Sequence, residues 1–233
     1  MPATRLPILM YHKVGPVVAG SHVAGHYVSR AAFERQMQWL RALKFTSVDL
    51  APYDGVFSAK RPIAITFDDG YRNNLTYASP AMQATGFFGI VYLVSERLGA
   101  TNDWDDGLEP LMSVDEVQAW LAAGNRIGCH SATHAHLADI AENQLSDEVN
   151  GAKDQLQELF GRCVKTFCYP YGQSNATVKR VVQTAGFEAA CGTRKGSNRA
   201  ESDQFDLRRI NVRADTWGPL FLLKLLRAYR NAA

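Results

Sequence analysis

The chain has 233 residues, 46% of them hydrophobic and 21% charged, which is enough apolar material for one sizeable core and a common length for a one-domain α/β barrel. Its formal net charge of +2 is scattered without a basic block, which argues against a DNA or RNA partner. Near the start only Leu6 to Tyr11 is apolar, interrupted by Pro7 and ended by His12, too short for a signal-peptide core or a membrane span, so a cytoplasmic location is expected.

Strand-like and helix-like runs alternate along the chain. Strands are expected at PILMYH (7–12), TSVDL (46–50), PIAITF (62–67), FFGIVYL (87–93), RIGCH (126–130), KTFCYP (165–170), FEAAC (187–191) and RRINV (208–212). Amphipathic segments lie between them: SRAAFERQMQWLRAL after a Ser29 cap, and SVDEVQAWLAAG with Ser113 and Glu116 in capping-box spacing and a closing Gly124. SDEVNGAKDQLQELFG and SNATVKRVVQTAG repeat the pattern of polar start, periodic apolar face and terminal glycine. This grammar predicts parallel strands with helices outside and a single catalytic domain over 1–233. Cys129, Cys163, Cys168 and Cys191 make no C-x-x-C spacing and are expected to be reduced core residues.

Polar residues interrupt this pattern at one kind of place. Asp68 and Asp69 follow AITF, His130 ends RIGC, Tyr171 follows TFCYP, and His12 ends ILMY. In a parallel barrel the C-terminal strand ends share one rim, where catalytic residues gather. Two adjacent carboxylates at the end of a buried strand repel each other and resist desolvation unless a cation or a reaction uses them. His130 and His134, four apart, can both reach one ion, and two histidines with one carboxylate leave a divalent metal open to water and substrate. One aspartate then binds the metal while the other acts as base on the attacking water.

TFDDG (66–70), HSATH (130–134) and YPYG (169–172), in this order and each at a strand end, resemble the polysaccharide deacetylases of carbohydrate esterase family 4. The opening PILMYHKV and the late LRRINV extend the likeness over nearly the whole chain, toward the poly-N-acetylglucosamine and lipopolysaccharide-cluster branch. The resemblance implies a distorted (β/α)7 barrel and a metal-dependent hydrolase that removes an N-acetyl group from an amino sugar and releases acetate. It assigns Asp68 as base and Asp69, His130 and His134 as ligands of one divalent ion, with zinc expected and other divalent ions compatible. The backbone N–H of Tyr171 matches the donor that holds the oxyanion.

The chain departs from the family pattern twice. Cys168 stands where many members carry an arginine that orients the base, and Arg209 in LRRI is expected to reach the base from another strand. The usual late Leu-x-His of the general acid is absent, since no histidine follows His136. His22 and His26 lie in a glycine-rich loop with nothing to fix them, and His136 is expected to point away from the ligand loop. His12, from a motif that similar deacetylases place near the metal, is therefore the expected acid.

Lesser features complete the expectations. NDWDDG (102–107) lacks calcium-loop order and is read as a rim loop whose Trp104 stacks on sugar, with Tyr171 also binding substrate. GTRKGSN (192–198) lacks the order of a phosphate loop and receives no nucleotide chemistry. In the tail WGPLFLLKLLRAYRNAA, Leu222, Leu223, Leu226 and Tyr229 form an apolar stripe and Lys224, Arg227 and Arg230 another face. A barrel-covering helix and a peripheral membrane-surface helix both fit that pattern. Two rivals to an N-deacetylase acting on a glycan or glycolipid precursor are an O-acetyl esterase on a polysaccharide and a catalytically degenerate sugar-binding protein.

Overall fold

The computed structural model of the chain describes residues 5–53, 57 and 59–230, the last two as backbone alone. In chain order its strands are β1 (Ile8–Tyr11), β2 (Lys13–Val14), β3 (Tyr27–Val28), β4 (Thr46–Ser47), β5 (Pro62–Phe67), β6 (Ile90–Leu93), β7 (Arg126–Cys129), β8 (Thr166–Cys168), β9 (Ala189–Lys195) and β10 (Leu207–Asn211). The α-helices are α1 (Arg30–Ala42), α2 (Ser79–Thr85), α3 (Val114–Ala122), α4 (Glu142–Ser146), α5 (Ala152–Phe160), α6 (Ala176–Thr184) and α7 (Gly218–Arg230).

β5 is buried at all 6 of its residues, the burial of a strand covered on both faces. It pairs in parallel with β6 on one side and β1 on the other, and the order β1-β10-β9-β8-β7-β6-β5 closes into a seven-stranded parallel barrel. Period-two alternation then sorts the side chains. Leu9, Tyr11, Ile63, Ile65, Phe67, Val91 and Ile127 join the layer beneath the helices, whereas Ile8, Ala64, Ile90, Tyr92, Cys168, Cys191 and Leu207 fill the lumen. A Cβ on Gly128 would lie 2.5 Å from the Tyr92 ring, so glycine there lets this large residue plug the barrel.

The expected caps form. Ser29 accepts from the Ala32 N–H to start α1, and Ser113 and Glu116 complete a reciprocal capping box on α3. Other expectations need correction. TSVDL pairs with β5 over Thr46–Ser47 and stands outside the barrel closure, which β1 completes on β5; Asp49 is exposed, while Leu50 joins the lumen cluster and Val48 packs against it. The segment read as starting at SDEVNG begins earlier, at Glu142, and runs through a π-helical turn (Asp147–Gly151) into α5. Cys129, Cys168 and Cys191 are buried and free, but Cys163 is exposed in the loop after α5.

The tail helix also packs differently from its expected stripe. Phe221, Leu225 and Ala228 form the buried face of α7, with the Phe221 ring against Trp39 at 6.3 Å, while Leu223 and Leu226 face outward. Lys224 turns in, its Nζ donating to the Asn211 carbonyl and to Thr216 Oγ1, both at 2.8 Å. The side chains of Tyr229, from the expected stripe, and of Arg230, from the expected cationic face, lie outside the described residues. Among the described residues no helix is long and apolar enough to cross a membrane.

Candidate active site

The inward-facing sets of the strands continue past the ladder into the rim. Asp68 follows Ala64 and Thr66, its N–H still donating to the Tyr11 carbonyl at 2.9 Å, so its side chain enters the lumen. Arg209 of β10 enters from the far wall and grips it with two bonds, Nη1 to Oδ1 at 2.6 Å and Nη2 to Oδ2 at 2.7 Å. The same guanidinium donates to the Gly192 carbonyl, Thr66 Oγ1 and Cys168 Sγ, which leaves it fully engaged in a buried setting. Burial by itself would raise the Asp68 pKa; the Arg209 charge and hydrogen bonds outweigh it and hold the carboxyl below its ordinary value. Cys168 thus leaves room for an arginine that arrives from another strand.

Asp69 turns the other way because its backbone adopts φ 73°, a left-handed conformation that a short polar residue tolerates. Its Oδ1 meets His130 Nε2 at 3.2 Å and His134 Nε2 at 3.3 Å. Burial would raise the Asp69 pKa, and the two imidazoles outweigh it and hold the carboxyl well below the usual range. Burial lowers the His134 pKa and favours its neutral, ligating form. His130 Nδ1 lies 2.7 Å from the Cys168 carbonyl oxygen, which can only accept, so Nδ1 carries a proton. In the neutral ring Nε2 then presents a lone pair to an anionic oxygen. A divalent cation relieves that opposition, and a carbonyl that orients the far nitrogen is the usual support of a metal-binding histidine.

Asp69, His130 and His134 offer three ligand atoms within 4.8 Å of one another, and all three residues are buried. Asp68, His130 and Cys168 also approach within that distance, but Arg209 occupies both oxygens of Asp68. The residues present therefore fit one metal ion, at the Asp69 set.

The remaining expected residues converge on the same opening, a cavity of ≈ 160 Å³ lined by His12, Asp68, Asp69, Trp104, His130, His134 and Tyr171, together with His26, Asp105 and Thr193. Tyr171 takes φ 58° and ψ 3°, and its backbone N–H has no hydrogen-bond partner among the described residues. Gly172 seats this turn: a Cβ there would fall 2.0 Å from Thr193 Oγ1. Trp104 stacks on the His134 ring at 4.3 Å and 15°, so one face of the indole is taken by a candidate ligand. His136, expected to point away from the ligand loop, is exposed and does not line the cavity; it stacks on the Tyr171 ring at 3.9 Å and 3° and reaches Gln173 through Nδ1.

Two site residues escaped the sequence reading. His26, read as unfixed, stacks on His12 at 4.7 Å. The cause is the short parallel pair β2–β3, in register Lys13↔Tyr27, which brings the preceding residues His12 and His26 side by side. Burial, with the nearby His12 charge second, lowers the His26 pKa to about 4. Asp105 is steered into the opening by Tyr71 Oη at 3.2 Å, Asn102 Nδ2 at 3.3 Å and the buried Lys13 ammonium at 3.6 Å. Two-residue strands and an acidic turn carry no periodic signal from which either could have been read.

Comparison with known proteins shows the family and the fold. The chain is 22% identical over 216 residues to the poly-β-1,6-N-acetyl-D-glucosamine N-deacetylase of Staphylococcus epidermidis, covering 88% of this chain and 74% of that one. Its fold matches IcaB from Ammonifex degensii at TM-score 0.82 and 21% identity over 96% of this chain and 97% of that one. A polysaccharide deacetylase from Bacillus cereus superposes at TM-score 0.83 and 23% identity, over 95% of this chain and 69% of the other. The polysaccharide deacetylase family profile matches residues 57–190, more than half the chain, from the approach to β5 through β8 into β9, and the chain therefore belongs to the polysaccharide deacetylase family.

Proposed function

We propose that the protein is a metal-dependent N-deacetylase that hydrolyses the acetamido group of an amino sugar in a glycan or glycolipid precursor. The observation that carries this reading is Asp69 Oδ1 opposite two imidazole Nε2 atoms, one of them on a ring whose Nδ1–H the Cys168 carbonyl holds, beside a second carboxylate locked by Arg209. The name of the Staphylococcus epidermidis relative, an N-deacetylase of an N-acetylglucosamine polymer, supports the same substrate class.

Asp69, His130 and His134 would hold the ion, most simply zinc given the mixed nitrogen and oxygen donors. Such an ion supplies a Lewis acid that polarises the acetyl carbonyl and acidifies water. Asp68, kept ionised by Arg209, accepts the proton of the attacking water on the lone pairs the guanidinium leaves free. The Tyr171 N–H donates to the oxyanion as the carbonyl carbon becomes tetrahedral. His12 gives a proton to the departing amine, and the neutral His26 against its face leaves it without a second positive neighbour. The Tyr171 ring, 42% exposed, and the outer face of Trp104 offer surfaces on which a sugar ring can lie.

The test is acetate release from polymeric, lipid-linked and nucleotide-linked N-acetylated amino sugars, set beside O-acetylated polysaccharide, with metal content measured on the same preparation. Roughly one divalent ion per chain and release from an N-acetylated substrate are expected. Release from the O-acetylated substrate alone would make the protein an esterase, and a metal-free protein with no release would make it a sugar-binding protein.

A further inference from the structure

GTRKGSN, which has no phosphate-loop order, ends β9 and turns back beneath α7. At Gly196, φ is 154°, and a Cβ would sit 2.8 Å from Arg208 Cδ, so glycine lets the Arg208 side chain cross the turn. The result is a cavity of ≈ 380 Å³ between β10 and α7, larger than the catalytic one and separate from it. Lys195, Arg208, Lys224 and Arg227 line it with Ser197 and Asn211; Arg209 also borders it but is paired with Asp68, and no acidic residue lines it among the described residues. The neighbouring surface behaves differently: Lys179 pairs with Asp203 and Asp206, Arg194 with Asp206, and Arg199 with Glu201. Lys195, Arg208 and Arg227 make no ion pair among the described residues, so their mutual repulsion is left for an outside anion to relieve.

A second observation selects the source of that anion. Trp217 at the entry to α7 is 65% exposed, and Leu223 and Leu226, one turn apart on the helix, are 41% and 59% exposed. Arg227 lies one turn from Leu223, on the same outward side. Apolar side chains with a tryptophan at one end and cations beside them are the pattern of a helix resting in a bilayer interface. A soluble phosphate would need the cations and not the apolar face.

We infer that the cavity between β10 and α7 seats the phosphate of an anionic phospholipid and that α7 rests on such a membrane through Trp217, Leu223 and Leu226. The catalytic opening is then held near substrates carried by the same membrane, a role independent of which acetyl group is hydrolysed.

Flotation of the full chain with vesicles tests this, comparing phosphatidylcholine alone with mixtures containing phosphatidylglycerol. Binding is expected to the anionic vesicles only and to weaken as salt is raised. Lys195→Gln/Arg208→Gln/Arg227→Gln should weaken partition roughly a hundredfold, as each basic residue near an anionic surface is worth about fivefold. Trp217→Ser/Leu226→Ser should weaken it too, and both variants should release acetate from a soluble substrate as the parent does. Should the triple variant not fold, the exposed Arg227→Gln alone carries the test, with about a fivefold loss expected. The inference is overturned if these variants float like the parent, if the parent binds both vesicle types equally, or if inorganic phosphate raises the melting temperature while no vesicle recruits the protein.

Discussion

Replacing Arg209 with methionine would test the lock on the candidate base. The substitution keeps an unbranched side chain of similar reach and removes all five of the hydrogen bonds that the guanidinium makes, two of them to Asp68. A buried pair broken by removal of one partner costs about 3–5 kcal/mol, because the remaining charge keeps its desolvation penalty and loses its attraction. Against a typical stability of roughly 5–15 kcal/mol the variant should still fold. Urea unfolding of chelator-treated protein measures the loss without a contribution from metal binding. In a cycle with Asp68→Asn, the double variant should recover about 2–3 kcal/mol relative to additivity. Activity supplies a second readout. Burial raises the Asp68 pKa and Arg209 lowers it, so without the arginine the pKa rises and the acid limb of kcat/KM moves to higher pH. A loss under about 1 kcal/mol, additive singles and an unmoved acid limb would together refute the claim that this pair keeps the base ionised.

Three further outcomes follow from the same geometry. Asp68→Asn should retain metal and lose about two to four orders of magnitude in turnover, whereas Asp69→Asn should lose the metal; the opposite pattern in metal analysis would show the roles reversed. His12→Ala should fold, bind metal and lose amide hydrolysis far more than hydrolysis of an activated aryl ester, whose leaving group needs no proton, and equal losses would remove His12 as the acid. The His26 pKa, lowered from 6.5 to about 4, means that between those values the unfolded chain binds more protons than the folded one. The associated stability is full above the higher value and declines as pH falls toward the lower, by roughly 1–2 kcal/mol after discounting for partial exposure. His26→Gln should flatten that slope in urea midpoints, and an unchanged slope would assign it to other groups.

Much of the rim was legible because parallel strands turn local patterns into spatial ones. A buried run ending in Asp-Asp, a strand ending in histidine with another four residues on, and Tyr171 after a third strand needed only the rule that such ends share a face. His26 and Asp105 gave no comparable mark. Their placement depends on a two-residue parallel pairing and on the buried Lys13 ammonium, neither of which leaves a periodic trace. The tail stayed open for a related reason: its apolar residues outnumber what one helix face can bury, so the stripe Leu222, Leu223, Leu226 and Tyr229 fitted two kinds of helix; in the fold Phe221, Leu225 and Ala228 face the core with Leu222 beside them, and Leu223 and Leu226 face outward.

The sequence by itself determined the alternation of strands and helices, the caps on α1 and α3, and the rim position of Asp68, Asp69, His130 and Tyr171, because each follows from periodicity or a cap within a short window. Tertiary structure alone decided that Arg209, expected near the base, grips both of its oxygens, that the Cys168 carbonyl sets the tautomer of His130, that His26 lies against His12, and that Lys195, Arg208, Lys224 and Arg227 share a cavity with no carboxylate among the described residues that line it. These contacts join residues on different strands, and their geometry exists only once the barrel closes and burial makes charge pairing and hydrogen bonding decisive.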